Sequence, residues 1–591
     1  MCGILGITQL LKESEFSDAA RCFSYRGPDA YGQTEQDSVT LGHHRLSILD
    51  LDARSDQPMI SPDGRLAIVF NGEIYNFKEL KKVLASDYDF RTTSDTEVLL
   101  AAYLRYGKDL TQYLRGMYAF ALHDRQTQQL LLFRDPVGIK PVYYSHVNEV
   151  FCFASEAKGV VKLLETQKIQ PTLNEEAWNL FWTFGYIPSP LTLVSQIQKL
   201  ERGQGAIFDL QTKRLELFTA AKRIEEDPVL SPSSLREITE QSVLDHLLAD
   251  APVGLFFSGG TDSSLIAAIL HKHGVNLKTF SLLMPGNELD KQYIVDIRAQ
   301  LGLQGELVQF GTAELQTALE QVQERIDEPT ADSSIFPTLF LSQAAAKDVK
   351  VALSGEGGDE LFLGYYHQQG LAKIRRTKVS PVSTLLDQLR LTIHSPYARR
   401  AIAKGYIGAQ DAAGFYLSQH ALLREQTPKE LWKLGRTVLE ALPCPPTLLD
   451  RELPLENDLL RKIDLATSYA SIEGRVPLLD PRLIRYAERL TPDQHLSGGV
   501  LKHALKQLLA TYLPTALVER PKAGFGMHTD LTKGHAGFHK AAHDAWADIK
   551  QFHSSSPELE HAIQTRLSEA RVGTAVITLR SALRELSLLR G

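Results

Sequence analysis

From residue 253 to residue 309, short apolar runs alternate with helix-length amphipathic segments. Strands are predicted over 253–257, 277–283 and 305–309, and helices over 262–274 and 289–301. A helix over 234–249 precedes this stretch and a strand over 349–353 follows it. The order indicates a parallel, doubly wound sheet, because parallel neighbours need long crossovers and helices then cover both faces. Ligands of such a sheet bind at the carboxyl edge of its strands.

The rest of the chain is patterned differently. The first 200 residues carry β-branched and aromatic runs broken by turn residues: RLAIVFNGEIYNF (65–77), QLLLFRDPVGIKPVYY (129–144) and EVFCFASEAK (149–158). The second run is predicted to be a hairpin turning at DPVG, residues 135–138. A helix is expected from Asp95 to about Tyr106, with Val98, Leu99, Ala102 and Tyr106 on one face. The character shifts after about residue 205, where 211–233 is polar and Pro/Ser-bearing, a linker or an edge hairpin. Residues 380–591 read as almost wholly helical, with no separate sheet and a break at Asp480-Pro481. The predicted class is therefore α/β. A layered antiparallel-sheet domain spans 1–205, and a doubly wound parallel-sheet domain with a helical C-terminal extension spans 206–591.

Composition excludes several function classes. In 591 residues, Lys+Arg is 64 and Asp+Glu is 71, a net charge of −7, and 43% of residues are hydrophobic. That is a globular balance, without the basic excess of a protein that coats nucleic acid. Four scattered cysteines (Cys2, Cys22, Cys152, Cys444) do not make a disulfide framework and point to a reducing compartment. No apolar window of about 20 residues exists, and the start MCGILGITQLLKESEF has no basic n-region. A cytoplasmic protein is predicted, with no nucleic-acid partner and no membrane insertion.

Two loops carry chemistry. In LFFSGGTDSSLIAAIL (255–270) an apolar strand enters a Ser-Gly-Gly turn and leaves as a helix. Ser258, Gly259 and Gly260 allow a tight turn that presents N–H groups, and the helix places its positive end at the same spot. Asp262, Ser263 and Ser264 add a carboxylate for Mg²⁺ and hydroxyls for phosphate oxygens. Taken alone, an Asp-Ser helix cap has the same appearance. VALSGEGGDELFLGYY (351–366) repeats the strand–turn–helix form and crowds Glu356, Asp359 and Glu360 together, which is costly without a cation. The S-G-G-x-D-S-S string resembles the pyrophosphate loop of N-type ATP pyrophosphatases. That resemblance implies ATP as substrate, held by Phe257, Ser258, Gly259, Gly260, Asp262, Ser263, Ser264, Leu282, Ser354 and Gly355. It also implies Mg²⁺ at Asp262 and Asp359 and a chemical role for Glu356.

Cys2 follows the initiator Met. With Met1 removed, Cys2 would carry a thiol nucleophile and its own amino base, whose ordinary pKa is about 7.7–8.0. The strings MCGILGI, SYRGPD (24–29), LGHHRLSILDL (41–51), FNGEIYNF (70–77), SDTE (94–97), RGMYAFALHD (115–124) and FRDPVGIKPVYY (133–144) are similar to those of class II glutamine amidotransferases of the Ntn type. The resemblance makes Cys2 the nucleophile on the glutamine amide. It gives Asn71 and the Gly72 N–H the oxyanion hole, and Arg45 the glutamine α-carboxylate. Glu73 and Asp95 would take the α-ammonium, with Leu46, Ser47, Ile48 and Leu49 lining the pocket.

The two halves together resemble the glutamine-hydrolysing asparagine synthetases, over Met1 to about Phe525. GYIPSPLT (185–192), DEPTADSS (327–334), LLRKIDLATSYASIEGRVPLLDPRL (459–483) and RPKAGFG (520–526) also match. Lys522 matches a phosphate-contacting lysine, whereas Arg475 and Asp480 match a string that serves equally well for structural ion pairs. The implied reaction forms an acyl-adenylate of a carboxylate with ATP. Ammonia released from glutamine then attacks it, giving an amide, AMP and pyrophosphate. The partners are thus glutamine and aspartate or another small carboxylate, and the expected assembly is a homodimer. Thr261, Leu363, Gly474 and the Gln304–Glu306 stretch depart from the family strings around the synthetase loops. Aspartate is the default acceptor, and a sugar uronic acid or a peptide carboxylate is the alternative. A non-catalytic binder of glutamine or ATP would have no need of Cys2, Asn71, Asp262 and Asp359.

Overall fold

The computed structural model describes every residue except 221–229, 286–287, 375–380, 391–395, 520–530, 533 and 590–591. Its N-terminal part runs through β1 (Gly3–Ile7), β2 (Ala30–Gln36), β3 (Val39–Arg45), β4 (Met59–Ile60), β5 (Leu66–Ile74) and β6 (Gly116–Asp124). It continues with β7 (Gln129–Arg134), β8 (Tyr143–Val147), β9 (Val150–Ala154), β10 (Gln198–Lys199), β11 (Gln204–Asp209) and β12 (Leu215–Thr219). These form two sheets, ordered β10-β8-β9-β1-β3-β2 and β12-β11-β7-β6-β5-β4. The pairings are antiparallel.

Period-two alternation builds four layers from these strands. In β5, Ala67 and Val69 face Ile4, Leu41 and Phe153 of the other sheet. Leu66, Ile68 and Phe70 point the opposite way, onto Val98, Leu99 and Ala102. Those three lie on the helix Asp95–Tyr106, which has the predicted bounds because Ser94 caps its start and Gly107 turns at φ 58°. Leu5 and Cys152 on the outer face of the first sheet pack with Phe16, Ala19, Val160 and Val161 of two further helices.

Two expectations change. The hairpin turning at 135–138 does not form: β7 pairs with β6 and β11, while β8 pairs with β9 and β10. The buried Asp135 carboxylate accepts from the N–H groups of Val137, Gly138, Ile139 and Lys140, winding 135–140 into a loop that carries the chain from one sheet to the other. The boundary at 205/206 falls inside β11, and the second sheet continues to Thr219, so 211–219 belongs to an edge hairpin.

The parallel sheet holds β13 (Val253–Phe256), β14 (Lys278–Leu283), β15 (Gly305–Gln309), β16 (Val351–Leu353) and β17 (Glu473–Arg475), ordered β15-β14-β13-β16-β17. All four pairings are parallel, as predicted. The strand order reverses between β13 and β16, so the loops 257–260 and 354–357 flank the switch point. β17 lies in the stretch expected to be helical and adds an edge to this sheet. Buried ion pairs join the halves, among them Arg26 with Asp464 at 2.9 Å and Arg134 with Glu456 at 2.7 Å.

Candidate active sites

The first constellation gathers where β1, β3 and β5 begin or end. Asn71 and Glu73 share one face of β5, two residues apart. Asn71 Oδ1 accepts from the Cys2 N–H at 3.0 Å, while its buried Nδ2 has no partner among the described residues. An amide donor with spare capacity thus belongs to the side chain that holds the Cys2 backbone nitrogen. At Gly72, φ is +155° and a Cβ would lie 2.1 Å from the Met117 carbonyl oxygen, so only glycine lets β5 approach β6 here.

Burial raises the Cys2 thiol above its ordinary value. The thiol therefore needs a nearby base to become a nucleophile. In the chain with Met1 in place, Met1 is buried and its amino group is pushed down to about 5 by that burial. Removing Met1 leaves the nitrogen that faces Asn71 as the free amino group.

The acids expected to take an ammonium are both buried. Burial, and then the Asp95 charge, raise Glu73 well above its ordinary value. Burial raises Asp95 to about 6. Asp95 Oδ2 accepts from the Ile74 N–H at 2.9 Å, and Glu73 Oε2 accepts from Arg475 Nη2 at 2.7 Å.

Arg45 is placed differently from the expected carboxylate clamp. Its Nη1 donates to Asp52 O at 2.9 Å and Asp56 Oδ1 at 2.6 Å; its Nη2 donates to Leu49 O at 3.3 Å and Asp50 O at 2.5 Å. The fork is filled by oxygens of the 49–56 loop and holds that loop in place. Ser47 donates its N–H to Asp29 Oδ2 at 2.8 Å, and Leu49 is half-buried. Leu46 and Ile48 are buried against Val351 of β16, with Cys2 packed on the same cluster.

The second constellation sits on the parallel sheet. Gly259 turns at φ +66°, and the helix Thr261–Lys272 starts immediately after Gly260. The Ser263 hydroxyl accepts from the Ser258 N–H at 3.2 Å, tying the loop to the helix. The buried Ser264 hydroxyl has no partner among the described residues. Phe257 is buried with the Arg298 guanidinium over its ring, and Leu282 is buried at the end of β14. Ser354 N–H donates to Arg475 O at 2.8 Å. A Cβ at Gly355 would lie 2.8 Å from Asp262 Cβ, and one at Gly358 would lie 2.4 Å from Asp262 Oδ1, so glycine lets the two loops touch.

Asp262 and Asp359 share one cation. Lys502 Nζ pairs with Asp262 Oδ2 and lies 2.9 Å from Asp359 Oδ1. Burial alone would lower this ammonium, but the two carboxylates outweigh it and hold it above its ordinary value. Two carboxylates that converge on one positive group fit a divalent cation by charge and donor type. Glu356 lies 3.4 Å from Lys462 Nζ, which also lies 3.3 Å from Asp332. Glu360 is buried beside Tyr365, and burial, with Asp359 adding to it, raises its carboxyl to about 8.

The structure brings Cys2, Asn71, Glu73 and Asp95 together, and Asp262, Asp359 and the two Gly-rich loops together. Lys522 lies outside the described residues. Sequence reasoning missed Lys502, Lys462 and Asp332. The last two lie in strings already quoted, but Lys502 has no local signature. Leu363, a departure from the family strings, sits at φ +52° and is buried, at a position that ordinarily favours glycine.

Residues 1–219 match a glutamine amidotransferase domain family and residues 234–569 match the asparagine synthase family. The chain is 30% identical over 560 residues to asparagine synthetase [glutamine-hydrolyzing] 1 of Bacillus subtilis (strain 168), covering 89% of this chain and 87% of that one. It is 32% identical over 564 residues to a putative asparagine synthetase [glutamine-hydrolyzing] of Mycobacterium bovis, covering 87% and 84%. Against asparagine synthetase B [glutamine-hydrolyzing] of Escherichia coli (strain K12) it is 27% identical over 553 residues, covering 89% and 82%.

Proposed function

Because the chain belongs to the glutamine-hydrolysing asparagine synthetase family, we propose that it makes asparagine from aspartate, ATP and glutamine. Cys2, freed of Met1, attacks the glutamine side-chain amide. The developing oxyanion accepts from Asn71 Nδ2 and the Gly72 N–H, the kind of donor worth roughly 2.7–4 kcal/mol each. The observation that carries this half is that Asn71 accepts from the Cys2 N–H while its buried Nδ2 has no partner among the described residues. Glu73 and Asp95 take the α-ammonium, and Arg45 orders the loop bearing Ser47 and Leu49.

At the other site, the Gly-rich loop 258–264 and the N-terminus of its helix hold the ATP phosphates. Asp262 and Asp359 would hold Mg²⁺, which neutralises pyrophosphate charge when bound. The acceptor carboxylate becomes an acyl-adenylate. Glu356, oriented by Lys462, sits in the loop beside this site and is suited to position ammonia or take its proton. Ammonia is a nucleophile only when unprotonated, so its path must be dry. The apolar packing of Cys2, Leu46, Ile48 and Val351 between the halves supports such a path. The absence of a membrane-length apolar helix among the described residues is compatible with a cytoplasmic enzyme.

The test is incubation with ATP, Mg²⁺, glutamine and aspartate, following asparagine and AMP together. Equal yields of both are expected. Glutamate release without asparagine at any aspartate concentration would transfer the reading to another acceptor carboxylate, such as a uronic acid.

A further inference from the structure

His367, His420 and Asp450 bring one ligand atom each to within 4.8 Å of one another. They come from three separate helices, Tyr366–Leu371, Ala412–His420 and Leu449–Glu452. Neither of the sites described above uses them. His367 Nε2 lies 2.7 Å from Asp450 Oδ2. Gln368 Nε2 donates to that same oxygen at 2.7 Å, and the Tyr416 hydroxyl donates to Oδ1 at 3.1 Å.

His420 Nδ1 lies 3.1 Å from the Tyr416 carbonyl oxygen. A carbonyl only accepts, so Nδ1 carries the proton and Nε2 keeps its lone pair. Burial lowers His420 to about 3, which keeps that lone pair available at neutral pH. An imidazole with its tautomer fixed by a carbonyl, beside a carboxylate oriented by two donors, has the outer hydrogen bonding of metal ligands. A hydrogen-bonded His–Asp pair needs only one imidazole. Here the second ring stands edge-on to the first, with centroids 4.2 Å apart.

We propose that His367, His420 and Asp450 form a binding site for a zinc-class transition-metal ion, separate from the oxygen-lined Mg²⁺ site. Two imidazoles and one carboxylate suit Zn²⁺ or Co²⁺, whereas Mg²⁺ takes oxygen ligands. Bonds of about 2.0–2.1 Å at a tetrahedral angle set neighbouring donors about 3.3 Å apart. The His367–Asp450 contact therefore opens by about 0.6 Å when the ion enters, and solvent completes the fourth position. The ion clips the three helices together. Tyr365 stacks on His367 with centroids 5.4 Å apart and donates its hydroxyl to Glu360, so the clip bears on the acidic loop of the ATP site.

The full chain, stripped with a chelator, is titrated with Co²⁺ and separately with Zn²⁺ in the presence of excess Mg²⁺. One equivalent is expected, with the intense visible absorption of tetrahedral Co²⁺, abolished when Zn²⁺ displaces it. The variants H367Q and H420Q should each lose at least about 100-fold in Zn²⁺ affinity, since even outer-shell changes cost about 10–100-fold. A circular dichroism spectrum and a metal-free melting transition matching those of the wild type certify that they fold. Zn²⁺ should raise the melting temperature of the wild type and leave that of H420Q unmoved. Failure of the wild type to bind one equivalent, or equal uptake by both variants, overturns the proposal.

Discussion

Arg475 of the parallel sheet donates to Glu73 of the glutamine amidotransferase layer at 2.7 Å, and both side chains are buried. The same guanidinium pairs with Glu473 at 2.8 Å, and the Arg475 carbonyl accepts from the Ser354 N–H. One residue thus touches a carboxylate of the proposed glutamine site through its side chain and a loop of the proposed ATP site through its backbone.

Removing that cation leaves Glu73 buried without its charge partner. Arg475→Met should cost about 3–5 kcal/mol of stability, the usual penalty for an uncompensated buried charge. Without the guanidinium, burial favours the protonated Glu73 more strongly, and a neutral acid holds an ammonium poorly. The glutamine KM of Arg475→Met should therefore rise, and the rise should shrink as pH increases and Glu73 ionises, whereas Arg475→Lys, which keeps the charge, should raise it less. Glutaminase kinetics over pH 6–9 check this. A KM equal to wild type throughout would remove Glu73 from the ammonium site.

The fold was legible where local chemistry and tertiary environment agree. Ser94 and Gly107 punctuate the helix Asp95–Tyr106 at both ends, and the apolar runs of β13 and β14, alternating with helix-length segments, read as buried parallel strands. It was misleading where a turn string was recruited by a side chain, as at Asp135, whose carboxylate gathers four N–H groups of its own loop and breaks the hairpin. β17 was hidden because three residues with Gly474 at the centre have no periodicity. The candidate sites follow the same rule. Cys2, Asn71 and Asp262 stand in contiguous strings, but Lys502 reaches Asp262 across 240 residues of chain. No local pattern encodes that meeting, nor the filling of the Arg45 fork by its own loop.

Cys2→Ala separates the two sites. The variant should lose glutamine-dependent amide formation by about 10⁴-fold or more, as removal of a catalytic nucleophile does. With ammonium salts in place of glutamine, it should form asparagine at the wild-type rate, because the thiol packs on the apolar cluster around Val351 while the groups proposed for ATP lie on other loops. Equal loss with both nitrogen sources, in a folded variant, would contradict the division.

Lys502→Met tests the shared cation. Without the ammonium, Asp262 and Asp359 lose the cation they share, so the melting temperature should fall in chelator. Mg²⁺ with ATP should recover it, and should stabilise the variant more than the wild type. Asp359→Asn, which halves the charge, should show no such rescue and should lose ATP-dependent synthesis on the order of 10²-fold or more while keeping glutaminase activity. Thermal shift and pyrophosphate release read both.

Arg45→Lys replaces a fork that reaches four loop oxygens with a single point charge. Bonds to a charged donor contribute about 1.5–3 kcal/mol each, and the lysine retains one or two of them. The loop bearing Ser47 and Leu49 should loosen, with about a tenfold or greater rise in the glutamine KM and little change in ammonia-dependent synthesis. An unchanged KM would place the 46–49 segment outside the glutamine pocket.

Glu360 gives the fold a pH signature. Its carboxyl titrates near 4.3 in an unfolded chain and near 8 in the folded one, raised by burial and by Asp359. Between those values the folded state binds the extra proton, so stability is complete below the lower value and declines as pH rises through 8. Glu360→Gln keeps the size and the acceptor for Tyr365 but carries no titrating proton. Its urea-unfolding midpoint should therefore fall less steeply than that of the wild type from pH 5 to pH 8.5, so that the two curves lie close together at the acid end and separate at the alkaline end. Parallel curves over the whole range would mean that Glu360 is ionised in the folded protein, with a cation beside it that offsets the charges of Asp359 and Glu356.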